Sequence, residues 1–177
     1  MARGAPRILV AGIGNVFLGD DGFGVVVAQA LVERRWPPGV TVREFGIRGI
    51  DLAYALQNGY DAAILIDAMP RGEAPGTLFV LEPELDDAAP PTVETHGMDP
   101  VRVLHLVRGL GGEPPRTLVV GCEPEQFPED HDPTAIITRL SAPVQTAVAG
   151  AVRLVEKLVQ DLTAGEWPAS PSNESAR

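Results

Sequence analysis

A single cysteine, Cys122, stands in 177 residues, so no internal disulfide can form, and a lone thiol suits a reducing compartment. No apolar run approaches the ~20 residues that a membrane-spanning helix needs, and the first residues carry no signal-like apolar core. A cytoplasmic protein is therefore expected. Basic side chains are the scarcer sign of charge: 14 Lys and Arg against 24 Asp and Glu leave a net charge of −10. That balance argues against nucleic acid and anionic membrane as partners. Two catalytic motifs are also missing. There is no H-E-x-x-H of a zinc peptidase and no G-x-S-x-G of a serine hydrolase, and no internal repeat is visible.

What is present describes one globular domain. Hydrophobic residues make up 45% and charged residues 21% of the chain, enough to bury a sizeable core at this length. The domain is expected over residues 1–162. From residue 163 to 177 the sequence turns small, polar and proline-bearing, which predicts a disordered tail.

The most informative stretch runs from Arg7 to Gly24. Ile8 to Ile13 is a short apolar run of the kind buried on both faces of a parallel sheet. Glycines then turn the chain, and Asp20 and Asp21 precede an apolar helical pattern from Gly24 to Arg35. Gly12 and Gly14 match the first two glycines of a dinucleotide fingerprint, but Phe17 stands where the third belongs. Two aspartates at a helix start would also repel a pyrophosphate. The turn suits a cation, although either aspartate could equally serve as a helix cap.

Further strands are predicted at Val40–Phe45, Ala62–Ile66, Thr77–Leu81 and Thr117–Val120. Helices are predicted from about Ile50 to Asn58, from Pro100 (with Asp99 as N-cap) to Leu110, and from near Ser141 onward, after a shorter piece around Ala135 to Leu140. Alternating strands and helices imply a three-layer α/β/α sandwich with a largely parallel sheet. Only about ten residues join the third and fourth strands, too few for a crossover helix, so the fourth is expected to be antiparallel.

Three side chains then fall at one sheet edge, where ligands bind in such folds. Asp21 follows the first strand, Asp67 closes the third, and His96 precedes the Asp99 helix. Together they resemble a mixed oxygen and nitrogen metal site with open positions, whose ligand types do not select one metal. Each also has a plainer reading, as a cap, a turn aspartate or a loop histidine. His105 reads as structural and His131 as solvated. Cys122, just past a strand end, is a candidate nucleophile or a packed thiol. Arg48, in the Gly46–Gly49 loop, either meets a substrate carboxylate or lies exposed without a partner.

The ordered set Gly12-Ile13-Gly14-Asn15, Asp20-Asp21-Gly22-x-Gly24, Ile66-Asp67-Ala68, Pro75-Gly76-Thr77, Thr95-His96 and Gly121-Cys122-Glu123-Pro124-Glu125 resembles the nickel–iron hydrogenase maturation endopeptidases from Arg7 to about Leu162. The resemblance implies a phosphorylase/hydrolase-like fold, a five-stranded mixed sheet ordered 2-1-3-5-4 with strand 4 antiparallel. It implies an enzyme that removes the C-terminal extension of a hydrogenase large-subunit precursor after nickel insertion, the nickel in the precursor serving as recognition signal. By similarity Asp21, Asp67 and His96 approach that nickel. Better-known members carry glutamate at the place of Asp21, which leaves open direct contact, contact through water, or a share for Asp20. The expected partner is the precursor, the expected state a monomer, and no tightly held metal of its own is expected. Two rivals remain at this level: a metal hydrolase with its own zinc on the same residues, and a chaperone that masks the precursor tail without cutting it.

Overall fold

Strand β1 (Ile8–Ile13) is an interior strand, buried along its whole length. The computed structural model describes residues 4–86, 99–125 and 134–169. The other strands are β2 (Val40–Gly46), β3 (Ala62–Ala68), β4 (Leu78–Leu81) and β5 (Arg116–Cys122), and the helices are α1 (Phe23–Val32), α2 (Gly49–Leu56), α3 (Pro100–Gly109) and α4 (Ala142–Thr163). The sheet order is β2-β1-β3-β5-β4. All pairings are parallel except that of β4 with β5, as the short β3–β4 connection requires.

Alternation along the strands builds two cores. Ile8 and Val10 of β1, Ile64 and Ile66 of β3, and Leu118 and Val120 of β5 pack against α1 and α4. Leu9, Ala11 and Ile13, with Ala63, Leu65 and Val119, pack against α2 and α3 on the opposite face. With period-2 side chains, a strand apolar at every position must be covered on both sides, so three layers follow. Among the described residues, no helix is long and apolar enough to cross a membrane.

Three local expectations are corrected. Residues 135–140 form no helix: Ile137 makes a parallel bridge with Leu18, accepting from the Gly19 N–H at 2.7 Å and donating to the Phe17 carbonyl at 2.9 Å. These backbone bonds to the β1–α1 loop take the place of intrahelical ones. The predicted tail of residues 163–177 is packed over residues 163–169 through Trp167, while residues 170–177 lie outside the described residues. Trp167 packs against the α1/α4 core, donates its Nε1–H to Glu82 at 2.9 Å and lies under the Arg116 guanidinium, 3.9 Å from the ring centroid. Its indole supplies apolar area and a donor to a segment whose composition looked unstructured. Finally, neither aspartate caps α1, whose N-cap is Gly22 with no side-chain bond.

Candidate functional site

The site forms where β1 and β3 end side by side. Their register pairs Gly12 with Ile66, so the turn after β1 sits over Asp67. That turn is held close by two glycines. A Cβ on Gly24 would lie 2.0 Å from the Ile66 carbonyl oxygen, and one on Gly14 would lie 1.8 Å from the Asp21 carbonyl oxygen. Gly14 also adopts φ +120°, which side-chain-bearing residues avoid. The chain thereby folds back on itself into a 3-10 turn, Gly19–Gly22, that carries both aspartates.

Asp20 and Asp21 do different work. Asp20 is 1% exposed and receives the Ser141 N–H at 2.7 Å, the Ser141 hydroxyl at 2.9 Å and the Glu125 N–H at 2.9 Å. Ser141 is the N-cap of α4, so Asp20 ties together the starts and ends of three segments. Asp21 remains half-buried at the mouth, its Oδ2 accepting the Asn15 N–H at 2.7 Å. Burial raises its pKa, an effect opposed by that hydrogen bond.

Asp67 is the unusual group. It closes β3 at 4% exposure, and its Oδ1 has no hydrogen-bond donor among the described residues. A Cβ at Gly14 would come within 3.7 Å of that same oxygen, so the missing side chain is what leaves the space beside it. Its pKa is raised well above the ordinary carboxylate range. Desolvation is the main cause, and repulsion from Asp21 and, more weakly, Asp99 adds to it against one favourable bond from the Ala68 N–H. Buried carboxylates normally find donors or a cation. A buried carboxyl oxygen with no donor among the described residues, and a second acid close enough to repel it, suit a positive ligand.

The sequence-predicted residues divide as follows. Asp21 and Asp67 are brought together. His96 lies outside the described residues, as does His131. Asp99, three residues after His96 in sequence, is close enough to Asp67 to repel it while its own side chain caps α3 by accepting the Val101 N–H at 2.8 Å. No cluster of three or more metal-ligating side chains occurs among the described residues. His105 is half-buried in the middle of α3.

Cys122 is fully buried; burial first, then Asp20 and Glu123, push its thiol up to about 12. It packs rather than attacks, since the reactive form of cysteine is the thiolate. Arg48 is folded onto its own loop, donating to the Phe45 and Glu44 carbonyls at 3.1 and 2.9 Å and lying 3.7 Å from Asp51. Sequence reasoning missed Glu123, whose buried carboxylate accepts the Arg71 N–H at 2.7 Å and the Gly72 N–H at 3.3 Å, fixing the loop that follows Asp67. An acid immediately after a buried strand was the available signal.

A family model described as hydrogenase maturation protease matches residues 25–158. The chain belongs to the hydrogenase maturation protease family. Asp67 and His96 fall inside the matched residues, and Asp21 lies just ahead of them. The chain is 37% identical over 129 residues to the hydrogenase expression/formation protein HoxM of Azotobacter vinelandii, covering 70% of this chain and 60% of that one. It is 30% identical over 150 residues to the hydrogenase 2 maturation protease of Escherichia coli, covering 83% and 91%. The match thus spans about three fifths of the length of the Azotobacter relatives, but nearly the whole of the Escherichia coli protein. Among solved structures, the hydrogenase maturating endopeptidase HybD from E. coli superposes with a TM-score of 0.66 at 30% identity, covering 96% of this chain and 99% of that one.

Proposed function

We propose that this member of the maturation protease family is an endopeptidase that removes the C-terminal extension of a nickel–iron hydrogenase large-subunit precursor. The nickel that the precursor already carries is the recognition signal. The observation that carries this reading is the Oδ1 of Asp67, without a donor among the described residues and buried near Asp21. Two carboxylates and no thiolate hold a borderline ion weakly, so the free protein needs no resident metal. The ion arrives with the precursor's own ligands, and Asp21, Asp67 and His96 complete its surroundings. Bound there, it supplies a Lewis acid that polarises the scissile carbonyl or a water. The two aspartates hold it against the end of the sheet and fix the adjoining peptide at the mouth. The expected monomer and the cytoplasmic location go with this reading.

The test is to mix the protein with nickel-loaded and nickel-free precursor and weigh the products by mass spectrometry. The wild type is expected to release a C-terminal peptide only from the loaded form, and Asp67→Asn and His96→Ala to release none while remaining folded. An intact complex with no peptide released would mean a chaperone. Nickel or zinc held stoichiometrically by the isolated protein would mean a self-sufficient metal hydrolase.

A further inference from the structure

The mouth of the site is edged by large apolar side chains that stand exposed. Phe17 is 55% and Ile136 73% exposed, with Val16 beside them, and Ile47 and Ile50 are exposed in the same way. Five such residues scattered singly would need no explanation. These are not scattered, because backbone bonds fasten each group to the turn that holds Asp21.

On one side, Ile137 donates to the Phe17 carbonyl and accepts from the Gly19 N–H, which sets Ile136 next to Phe17. On the other, the Gly14 N–H donates to the Gly46 carbonyl at 3.1 Å, which brings the Ile47 loop against the start of the same turn. Asn15 joins the ledge to the acid directly. Its N–H donates to Asp21 Oδ2 at 2.7 Å and its own Oδ1 accepts the Phe17 N–H at 3.0 Å. This is an Asx turn that fixes where Phe17 stands.

Building on the function proposed above, we infer that the Phe17–Ile136 ledge, with the exposed Ile47 and Ile50 on the loop tied to the same turn, is the docking surface for the apolar part of the large-subunit precursor that flanks its nickel. The occupant follows from the site's shape. Asp67 lies so deep that a ligand held on a folded partner reaches it only if partner surface closes over the mouth, and that surface meets these side chains first. Exposed apolar side chains held beside a polar site are also how protein interfaces are built. The charge of −10 makes nucleic acid a poor alternative.

The experiment compares wild type, Phe17→Ser/Ile136→Ser, Phe17→Leu, and Val32→Ser, the last an exposed apolar residue at the far end of α1. Affinity for the nickel-loaded precursor is read by biolayer interferometry and peptide release by mass spectrometry. The double variant is expected to raise both Kd and KM about tenfold or more with an unchanged Tm, while Phe17→Leu and Val32→Ser behave as wild type. An unchanged Kd in the double variant overturns the ledge, and wild-type cleavage would leave the protease reading standing. If the wild type binds through the ledge but releases no peptide, the protease reading fails and the ledge stands. A wild type that does not bind overturns the ledge.

Discussion

Asp67→Asn is expected to stabilise the isolated protein while abolishing its function, and the gain should depend on pH in a defined direction. Asp67 keeps its proton to a higher pH when folded than when unfolded, because burial and the Asp21 charge disfavour its anion. Between the ordinary carboxylate range near 4 and its raised folded value, the native state therefore binds more protons than the unfolded one. Stability consequently falls as pH rises through that window, by ~1.4 kcal/mol per pH unit at most. Asparagine does not titrate and has no such slope. One pH unit of that slope, about 1 kcal/mol, sets the scale of the gain. For a chain of this size each kcal/mol moves Tm by ~2–4 °C. Differential scanning calorimetry on both proteins from pH 4 to pH 9 is the assay. The difference in Tm, variant minus wild type, should be smallest near pH 4 and grow toward alkaline pH. A difference that is flat, or that shrinks as pH rises, would refute the claim that Asp67 is a strained carboxylate.

Gly14→Ala should lower stability by at least about 2 kcal/mol, since it combines a disfavoured φ with overlap on the Asp21 carbonyl; a wild-type Tm would show that the turn is looser than it looks. Cys122, with its thiol near 12, should be about four orders of magnitude short of full ionisation at pH 8. Iodoacetamide should accordingly alkylate it only after unfolding. Native-state alkylation at the rate of a free thiol would revive it as a nucleophile.

Much of this molecule was legible because one physical signal dominated. Ile8–Ile13 and Ala62–Ile66 are apolar at every position, so two-sided burial and a parallel sheet followed from composition. The nine residues between β3 and β4 could not hold a crossover helix, and β4 is antiparallel. The site acids were legible for a related reason: Asp67 interrupts an apolar strand, and Asp21 follows a glycine turn. The errors arose where tertiary partners decide. Nothing local in Ala135–Leu140 shows that Ile137 will bridge to Leu18. Likewise, nothing within Thr163–Ala169 shows that Glu82 and Arg116 await Trp167. The roles of Asp20 and Asp21 are separated by Glu125 and Ser141, both more than a hundred residues away.

That separation explains why two adjacent aspartates are needed. The turn carries Asp21, whose charge repels the buried Asp67, so the turn needs a separate anchor. Asp20 accepts three hydrogen bonds from Glu125 and Ser141, which fasten the turn to two other segments. Gly14 and Gly24 let the turn close against β3, and Asp20 fastens it to α4. With the backbone fixed from both sides, Asp21 stays close to Asp67 despite their repulsion. The fold thus holds in place an electrostatic strain that protonation or a bound cation relieves. Replacing Asp20 should consequently loosen the Asp21–Asp67 pair as well as α4, so an Asp20→Ala protein should lose part of the pH-dependent gap in Tm described for Asp67→Asn.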